Sequence, residues 1–345
     1  MESAASPVHA TPLPERQGRA GVVVIGRNEG QRLLTCLHDL LLQPRPVLYV
    51  DSGSSDGSAT AARELGVAVH ELDAARPFSA ARARNEGAQA LVARHPHLAY
   101  VQFLDGDCIV APGWLDAAEA ALDAEGACAV VFGHLYERYP QASIYNLLCA
   151  LEWRSPSGPV TNFGHLVGIT MVRRAVFEAL RGFNADMIAG EDPDFGVRVG
   201  LAGHGARKLD APMAWHDANI EKFSQWWKRS LRAGHAIGQR AQLHADDASH
   251  DGARERLSAL FWGAVLPLFI ILSAPVSKVL SLLLLAGYPL LAWRVARHRL
   301  NLGDDRREAS LYAGFTVLAK FANVLGLFKY QLDRLRGRVR IIEYK

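Results

Sequence analysis

Two aspartates flank a glycine in the segment FLDGDCI, residues 103–109. The apolar run before them predicts a buried strand that delivers Asp105 and Asp107 to its carboxyl end. Carboxylates at positions i and i+2 can both reach one hard divalent cation, and Mg²⁺ or Mn²⁺ held in this way keeps open positions for phosphate. The alternative is a turn in which aspartate and glycine only permit the backbone geometry. Taken alone, the motif leaves both interpretations open.

A third aspartate, Asp51, stands at another predicted strand end, in YVDSGSSDGS at residues 49–58. The small residues after it let backbone approach a ligand, and a carboxylate there can accept a hydrogen bond from a base imide or a ribose hydroxyl. The alternative is an ordinary turn in which Asp56 caps the next helix. Capping is expected of Asp56, but it does not account for Asp51.

Two arginines occur in FSAARARNEGA, residues 78–88, at or before a predicted helix N-terminus. Anions are favoured at that end of a helix, so Arg82 and Arg84 are candidates for contact with a nucleotide base or phosphate. A solvated helix face is an equally good interpretation of Arg82.

Three carboxylates fall within four residues in AGEDPDFGVRV, residues 189–199. A general base requires a carboxylate held near a reacting hydroxyl, which makes Glu191, Asp192 and Asp194 candidates. Because Asp192 precedes Pro193, the sequence also predicts that Asp192 is a helix N-cap with proline at the first helical position. A cap could itself fix the side chain at the mouth of a site.

The elements that must position these residues alternate regularly from residue 21. Strands are predicted at 21–25, 46–50, 67–71, 99–104, 127–132 and 167–172, and helices at 28–42, 56–65, 79–93 and 221–243, with others beginning near 139, 174 and 193. This pattern predicts an α/β fold with a parallel sheet and helices on both faces. Ligands of such sheets gather at the carboxyl ends of the strands, where the three aspartates stand.

Composition narrows the class of protein. The 345 residues carry a net charge of only +3, so we predict no nucleic-acid partner. The four cysteines form no CxxC pair, which indicates reduced thiols in a cytosolic domain. Residues 1–20 lack the apolar run of a secretory signal and are rich in alanine and proline, so this segment is expected to be disordered and the domain after it cytoplasmic.

The C-terminal part, 257–345, differs from the rest. After a polar linker at 246–256, two nearly uncharged stretches predict a helical hairpin over 257–295 that enters the membrane with both ends cytoplasmic. A third apolar stretch, 309–328, carries Lys320 at its centre and precedes a basic tail, which favours an interfacial helix. The alternative is a buried helical core for all three stretches.

In order and spacing, VVVIGRNEG, VDSGSSDGS, RARNEG, LDGD and GEDPD resemble the motifs of family 2 glycosyltransferases of GT-A fold, over a domain at 21–245. The resemblance implies a Rossmann-like, mixed and mainly parallel sheet. It also implies transfer of a sugar from a nucleotide-sugar donor, usually a UDP-sugar, with Mg²⁺ or Mn²⁺ as cofactor. One direct displacement would invert the anomeric centre.

The resemblance also implies roles for the donor-side residues. Asp51 would contact the nucleobase, Arg84 would help hold the nucleotide, and Asp105 would lie near the ribose. Asp107 would bind the metal, with Asp105 and His216 as further candidate ligands. A histidine packed beside its tryptophan neighbour is the alternative for His216.

On the acceptor side, the resemblance implies that Asp192 is the catalytic base, with Glu191 and Asp194 as supporting groups. The segment NFGHLVGITMVRR, with Gly164 and Gly168, would lie under the donor sugar. The segment FSQWWKRSLRAG departs from the QxxRW motif of processive members, which argues against chain polymerisation. Lys228, Arg229 or Arg232 could still contact the leaving diphosphate.

The predicted protein is thus an inverting glycosyltransferase of the cytoplasmic membrane that acts on a lipid-linked glycan in polysaccharide assembly. A polyprenyl-phosphate sugar synthase is the alternative within the class. A nucleotidyltransferase and a non-catalytic membrane scaffold are the alternatives outside it. A nicotinamide dehydrogenase is disfavoured because no GxGxxG follows the first strand.

Overall fold

One nine-stranded mixed sheet organises the part of the chain that the structure describes, residues 18–337 of a computed structural model. The expectation of disorder at 1–20 falls almost wholly outside these residues, as does the end of the basic tail. The strands are β1 Ala20–Gly26, β2 Val47–Asp51, β3 Ala68–Glu71, β4 Tyr100–Asp105, β5 Cys108–Val110, β6 Cys128–Glu137, β7 Gly158–Pro159, β8 Thr170–Arg173 and β9 Gly205–His216. Their order across the sheet is β3-β2-β1-β4-β8-β6-β9-β5, with β7 paired to β9.

Helices connect these strands and continue beyond the sheet. They are α1 Gln31–Leu41, α2 Ser58–Glu64, α3 Ala80–Arg94, α4 Trp114–Ala124, α5 Ile144–Glu152, α6 Arg174–Ala179, α7 Glu191–Leu201, α8 Phe223–Leu243, α9 Ala253–Leu260, α10 Leu266–Ser273, α11 Lys278–Leu285, α12 Gly287–Asn301 and α13 Arg306–Leu335. A π-helical segment, Phe261–Val265, joins α9 to α10. The predicted α/β class with a mixed sheet is confirmed.

The register of the parallel half brings two predicted site residues to one edge. Strand β1 pairs in parallel with β2 and with β4, and it places Gly26 opposite Asp51 and Ile25 opposite Asp105. The strand interiors are apolar and buried on both sides, as in a parallel sheet covered by helices on both faces. Two motifs far apart in sequence therefore end at the same edge of the sheet.

The other half of the sheet contains antiparallel pairs, and one of them positions His216. Strand β9 pairs in parallel with β6 and antiparallel with β5, in a register that sets Cys108 opposite His216. This pairing carries His216 to the strand that follows Asp107. No strand was predicted over the residues of β9, so local pattern did not place His216 beside Asp107.

The start of α7 corrects one prediction. Gly190, with φ of 80°, is the N-cap, and the helix begins at Glu191 rather than after Pro193. A left-handed backbone is open to glycine, which lets the chain turn sharply into the helix. Asp192 therefore lies inside the first turn and is not the cap. Proline is tolerated there because the first-turn N–H groups lack intrahelical partners.

The C-terminal helices expose most of their apolar surface. Three helical segments are long and apolar enough to cross a membrane, at Ala253–Ser273, Lys278–Asn301 and Arg306–Leu335. The buried shares of their most apolar windows are 11%, 0% and 28%. This exposure contradicts the alternative of a buried helical core, since a folded core would cover these side chains.

Helix α13 lies against α8 at close range through two glycines. A methyl group added at Gly326 would come within 2.1 Å of the Leu231 carbonyl oxygen, and one added at Gly234 within 2.2 Å of the Asn323 carbonyl oxygen. Backbone meets backbone at both points, so no side chain could move aside. This contact fixes α13 against α8.

Gly326→Ala is expected to destabilise the protein by about 1–3 kcal/mol, because the two helices must separate to admit the methyl group. Gly314→Ala is the matched control on the same helix, where a methyl group meets nothing within 4 Å. The control should be neutral or stabilising by up to about 1 kcal/mol, since alanine favours helix. Thermal unfolding in detergent compares the two. Equal stability of both variants would mean that the close approach of α8 and α13 is absent in solution.

Candidate active site

Asp51 holds the loop that follows β2. Its buried carboxylate accepts a hydrogen bond from Tyr49 Oη at 2.8 Å and from the N–H groups of Gly53 and Ser54 at 3.0 and 2.8 Å. Burial, then the Asp51 carboxylate, raises the pKa of Tyr49, so its hydroxyl remains a donor. Both oxygens of Asp51 are engaged within the strand and loop, and Ser52 lines the neighbouring cleft instead.

The loops after β1 and β2 are joined by hydrogen bonds. Asn28 N–H donates to Ser54 Oγ at 2.9 Å, and Ser55 N–H donates to Asn28 Oδ1 at 2.8 Å. Gly30 N–H donates to Asp56 Oδ2 at 3.0 Å. Asn28 has φ of 56°, a conformation that asparagine tolerates better than most residues. The two loops therefore form one wall along the edge of the sheet.

Asp107, Cys108 and His216 offer one ligand atom each within 4.8 Å of one another. His216 Nε2 lies 3.4 Å from Asp107 Oδ1. Within residues 18–337, His216 Nδ1 is buried without a hydrogen-bond partner. Carboxylate and imidazole donors fit a divalent cation such as Mn²⁺, whereas the Cys108 thiol is a softer ligand than Mg²⁺ prefers. Asp105, predicted as a further ligand, lies outside this group of three.

Glu137 lies beside His216, on the side of its Nδ1 atom. The sequence analysis did not predict this residue. Its buried carboxylate accepts hydrogen bonds from Tyr139 N–H at 3.0 Å and Ala218 N–H at 3.1 Å, and it lies 3.8 Å from His216 Nδ1. The ring of Trp153 meets the imidazole edge to face, with centroids 4.9 Å apart. His216 thus packs against Trp153, and not against the neighbouring tryptophan. No motif surrounds Glu137 in the sequence to signal this role.

Arg84 links the carboxyl end of β4 to the start of α7. It is buried, and its Nη1 and Nη2 atoms lie 2.7 Å from Glu191 Oε1 and 2.9 Å from Asp105 Oδ1. Burial lowers the pKa of Arg84, but the two carboxylates outweigh it and raise that pKa above its ordinary value. A methyl group at Gly168 would lie 2.5 Å from Nη2, so glycine is needed beneath the guanidinium. Arg84 therefore holds the carboxylates of Asp105 and Glu191 in place.

Asp192 is half-buried beside this arrangement and lines the cleft. Burial and the neighbouring Glu191 carboxylate raise the pKa of Asp192 to about 7, against the opposing effect of Arg84. A carboxylate with this pKa can take a proton near neutral pH, which a general base requires. The Glu191 carboxylate is instead paired with Arg84.

Asp194 anchors the first turn of α7 to the end of α8. Its Oδ1 lies 3.1 Å from His244 Nε2, and its Oδ2 accepts a hydrogen bond from Arg198 Nε at 2.9 Å. His244 Nδ1 in turn lies 2.6 Å from Asp247 Oδ2. Asp194 thus ties α7 to the turn after α8 and does not line the cleft.

This contact predicts a pH-dependent stability. The bonds to Asp194, then to Asp247, raise the pKa of His244. A raised folded-state pKa stabilises the protein fully below the unfolded value of about 6.5, and that stabilisation is lost as pH rises through the folded value. His244→Gln should therefore cost about 1–3 kcal/mol near pH 5.5 and much less at pH 9. Melting curves of both proteins across this range measure it. A difference that stays constant with pH would mean that His244 is neutral throughout.

These groups surround one open cleft of about 890 Å³. This is within the range of small-molecule sites. One wall comprises the strand ends, with Ser52, Arg84, Asp105, Asp107 and Asp192. The opposite wall belongs to α5, α8 and α13 and includes the residues Glu152, Trp226, Arg229, Arg232, Tyr312, Thr316, Lys320 and Asn323. The contribution of α13 was not predicted.

Two predicted donor-side residues lie away from the cleft. Arg229 lines it and pairs with Glu152 at 2.8 Å, but its neighbour Lys228 is exposed and does not. A methyl group on Gly164 would lie 2.2 Å from Asp251 Oδ1, which places Gly164 against the turn after α8. Gly168, from the same segment, lines a smaller pocket of about 260 Å³ that shares several lining residues with the cleft.

Arg82 corrects another expectation. It is 4% exposed, pairs with Glu86 at 2.7 Å, and donates to the carbonyl oxygens of Asp73 and Arg76. A solvated helix face is therefore wrong for Arg82. Its guanidinium binds backbone carbonyl groups of the loop before α3. Helical periodicity does not predict such contacts, because they depend on the length of the side chain.

Comparison with known proteins identifies related chains. Residues 21–180 match the family model described as Glycosyl transferase family 2. Glycosyltransferase AglE of Haloferax volcanii is 26% identical over 225 residues, which cover 62% of this chain and 71% of that protein. The matched region contains the DGD motif and the strand ends described above.

Solved structures give weaker likenesses. A crystal structure of S. aureus TarS, residues 1–349, has a TM-score of 0.48 at 15% identity and covers 92% of both chains. Glucosyl-3-phosphoglycerate synthase from Mycobacterium tuberculosis, in complex with Mn²⁺, UDP and glucosyl-3-phosphoglycerate, has a TM-score of 0.47 at 17% identity and covers 65% of this chain and 78% of that one. With acidic strand ends gathered at one cleft and the family match over the strands that carry them, residues 21–180 form a glycosyl transferase family 2 domain.

Proposed function

We propose that this glycosyltransferase moves a sugar from a UDP-sugar to a hydroxyl of a lipid-linked glycan, with inversion, at the cytoplasmic face of a membrane. The observation that carries this proposal is the shared cleft. A candidate metal group at Asp107 and His216, a half-buried base at Asp192 and a wall from the apolar helix α13 all line it. A nucleotide-sugar and a membrane-borne acceptor could therefore meet there.

The donor would occupy the strand-end side. Asp107 and His216 would hold Mg²⁺ or Mn²⁺, with Asp105 close by and held by Arg84. A divalent cation supplies charge neutralisation for a departing diphosphate. The wall formed by the loops after β1 and β2 offers backbone and hydroxyl groups to the nucleoside, and Asp51 acts by holding that wall in shape.

Asp192 would remove the proton of the acceptor hydroxyl as that oxygen attacks the anomeric carbon. Its raised pKa suits this task, and Arg84 orients the adjoining Glu191 carboxylate so that the first turn of α7 keeps its position. One displacement without a covalent intermediate inverts the anomeric centre.

The apolar helices support a membrane-borne acceptor. The hairpin of α9 to α12 exposes large apolar side chains, including Leu268, Phe269, Leu282 and Leu283. A patch of this extent fits hydrocarbon better than water. Positive residues at the ends of α12 and α13 favour a cytoplasmic catalytic domain.

A donor screen tests the proposal. Wild-type protein in detergent is incubated with UDP- and GDP-sugars, Mn²⁺ or Mg²⁺, and membrane extract, and both nucleoside diphosphate release and labelled lipid are measured. We expect metal-dependent release of UDP and sugar in the lipid fraction. Sugar recovered only on soluble acceptors would refute the lipid-linked acceptor, and no metal-dependent release with any donor would refute the proposed activity.

A further inference from the structure

One face of α13 forms part of the catalytic cleft. The cleft-lining residues of this helix recur three and four positions apart, as one face of a helix requires. They are Tyr312, Phe315, Thr316, Ala319, Lys320 and Asn323. Helix α13 is therefore a component of the site and not only an anchor for it.

Lys320 is the one charged residue in the sequence from Ala309 to Phe328. It lines the cleft, and among residues 18–337 it makes no hydrogen bond or ion pair. An ammonium in an apolar helix is costly unless it faces a polar cavity or a ligand. The position of Lys320 in the cleft wall removes part of that cost and leaves its three donors available.

Two other cations in the same wall are already engaged. Arg229 Nη1 pairs with Glu152 at 2.8 Å, and Arg232 Nη2 donates to the Ile188 carbonyl oxygen at 2.8 Å. Both belong to α8, while Lys320 approaches from α13. An anion entering from the side of α13 would therefore meet Lys320.

The outer surface of α13 indicates where such an anion comes from. Leu318, Leu325 and Phe328 on this helix are exposed, so apolar surface lies on the same helix as the ammonium. A ligand with a hydrocarbon chain and a phosphate fits both features. Lysine binds phosphate as a compact point charge.

We propose that Lys320 binds the phosphate or diphosphate of a lipid-linked acceptor and so positions its sugar hydroxyl towards Asp192. This inference rests on the proposed function, because it assigns the acceptor subsite of the same cleft. Lys320 is a binding residue in this scheme, and Asp192 remains the base.

Direct binding tests it without relying on transfer. Full-length protein in nanodiscs of phosphatidylcholine, with UDP and EDTA present, is titrated with farnesyl diphosphate, farnesyl phosphate and farnesol, and binding is followed by tryptophan fluorescence. Lys320→Met keeps the length of the side chain without its charge, Lys320→Arg restores the charge, and Lys329→Met is the control on the same helix. Lys329 pairs with Asp333 and does not line the cleft.

We expect wild-type protein to prefer the phosphorylated lipids to farnesol, and Lys320→Met to weaken their binding about 10–100-fold, as loss of a charge-assisted contact does. Binding of farnesol should be unchanged, Lys320→Arg should recover most of the affinity, and Lys329→Met should match wild type. Unchanged binding in Lys320→Met would overturn the inference. So would inorganic pyrophosphate competing as tightly as farnesyl diphosphate, because the anion would then not need a lipid.

Donor hydrolysis separates this result from the proposed function. Metal-dependent UDP release without acceptor should occur in wild type and be equal in the control Lys329→Met. Absence of that release in wild type would refute the proposed activity while leaving the lipid titrations interpretable. Loss of release in Lys320→Met alone would overturn the acceptor assignment, since it would place Lys320 on the donor.

Discussion

Replacing Asp192 with asparagine is expected to lower kcat by about 10²–10⁴-fold, the usual contribution of a general base. The KM for donor should change little, because the substitution keeps the shape of the side chain and leaves the candidate metal group unchanged. Steady-state assays with saturating metal measure both constants. Asp186→Asn is the matched control, an exposed carboxylate in the loop just before α7.

The pH profile gives a second test of the same residue. Burial and Glu191 raise the pKa of Asp192 to about 7, and a base must be unprotonated to act. In the free enzyme, kcat/KM should therefore rise with pH through about 7 and then level off, and the residual activity of Asp192→Asn should lack this rise. A variant that keeps most of its activity would favour a polyprenyl-phosphate sugar synthase instead. In such an enzyme a lipid phosphate attacks directly and needs no strong base.

Asp107→Ala is expected to abolish metal-dependent donor binding and to lower kcat/KM by about 10³-fold. A cation that neutralises the leaving diphosphate contributes several kcal/mol to the transition state. Calorimetric titration of UDP with Mn²⁺ and with EDTA compares the variant with wild type. Wild-type affinity should fall in EDTA, and affinity of the variant should be low in both.

His216→Gln tests the same metal group and is expected to have a smaller effect than Asp107→Ala. His216 Nε2 lies beside Asp107, so its loss should raise the Mn²⁺ concentration needed for half-maximal activity without removing the metal response. Asp116→Ala serves as the control, because that side chain is 83% exposed and pairs with Arg45. Donor binding by Asp107→Ala with an unchanged Mn²⁺ response would show that the cation lies elsewhere.

The position of the acidic strand ends was largely predictable because it follows from local pattern. Apolar runs predict buried strands, and parallel strands end at one edge, so Asp51 and Asp105 had to come together. The roles of individual residues were less predictable. The hydrogen bonds of Asp51 hold a loop, Gly164 lies against the turn after α8, and Gly168 lines a smaller pocket beside the cleft.

Contacts between residues far apart in the sequence explain why the surroundings of individual side chains were not predicted. Arg84 was predicted to help hold a nucleotide, and it lines the cleft, but its two carboxylate partners lie on β4 and α7 and only the tertiary structure brings them to it. Helical periodicity also gave no reason to bury Arg82, because its carbonyl partners belong to an irregular loop. Side-chain partners of this kind have no fixed spacing in the sequence.

By itself, the sequence determined the α/β class, the acidic strand ends, the GEDPD carboxylates and an apolar tail, since each is written in periodicity or in neighbouring residues. The tertiary structure alone decided that His216 meets Asp107, through antiparallel pairing of β5 with β9, and that Lys320 enters the catalytic cleft, through glycine contacts between α8 and α13. Strand order and helix docking depend on surfaces far apart in the chain, and local pattern does not specify which surfaces meet.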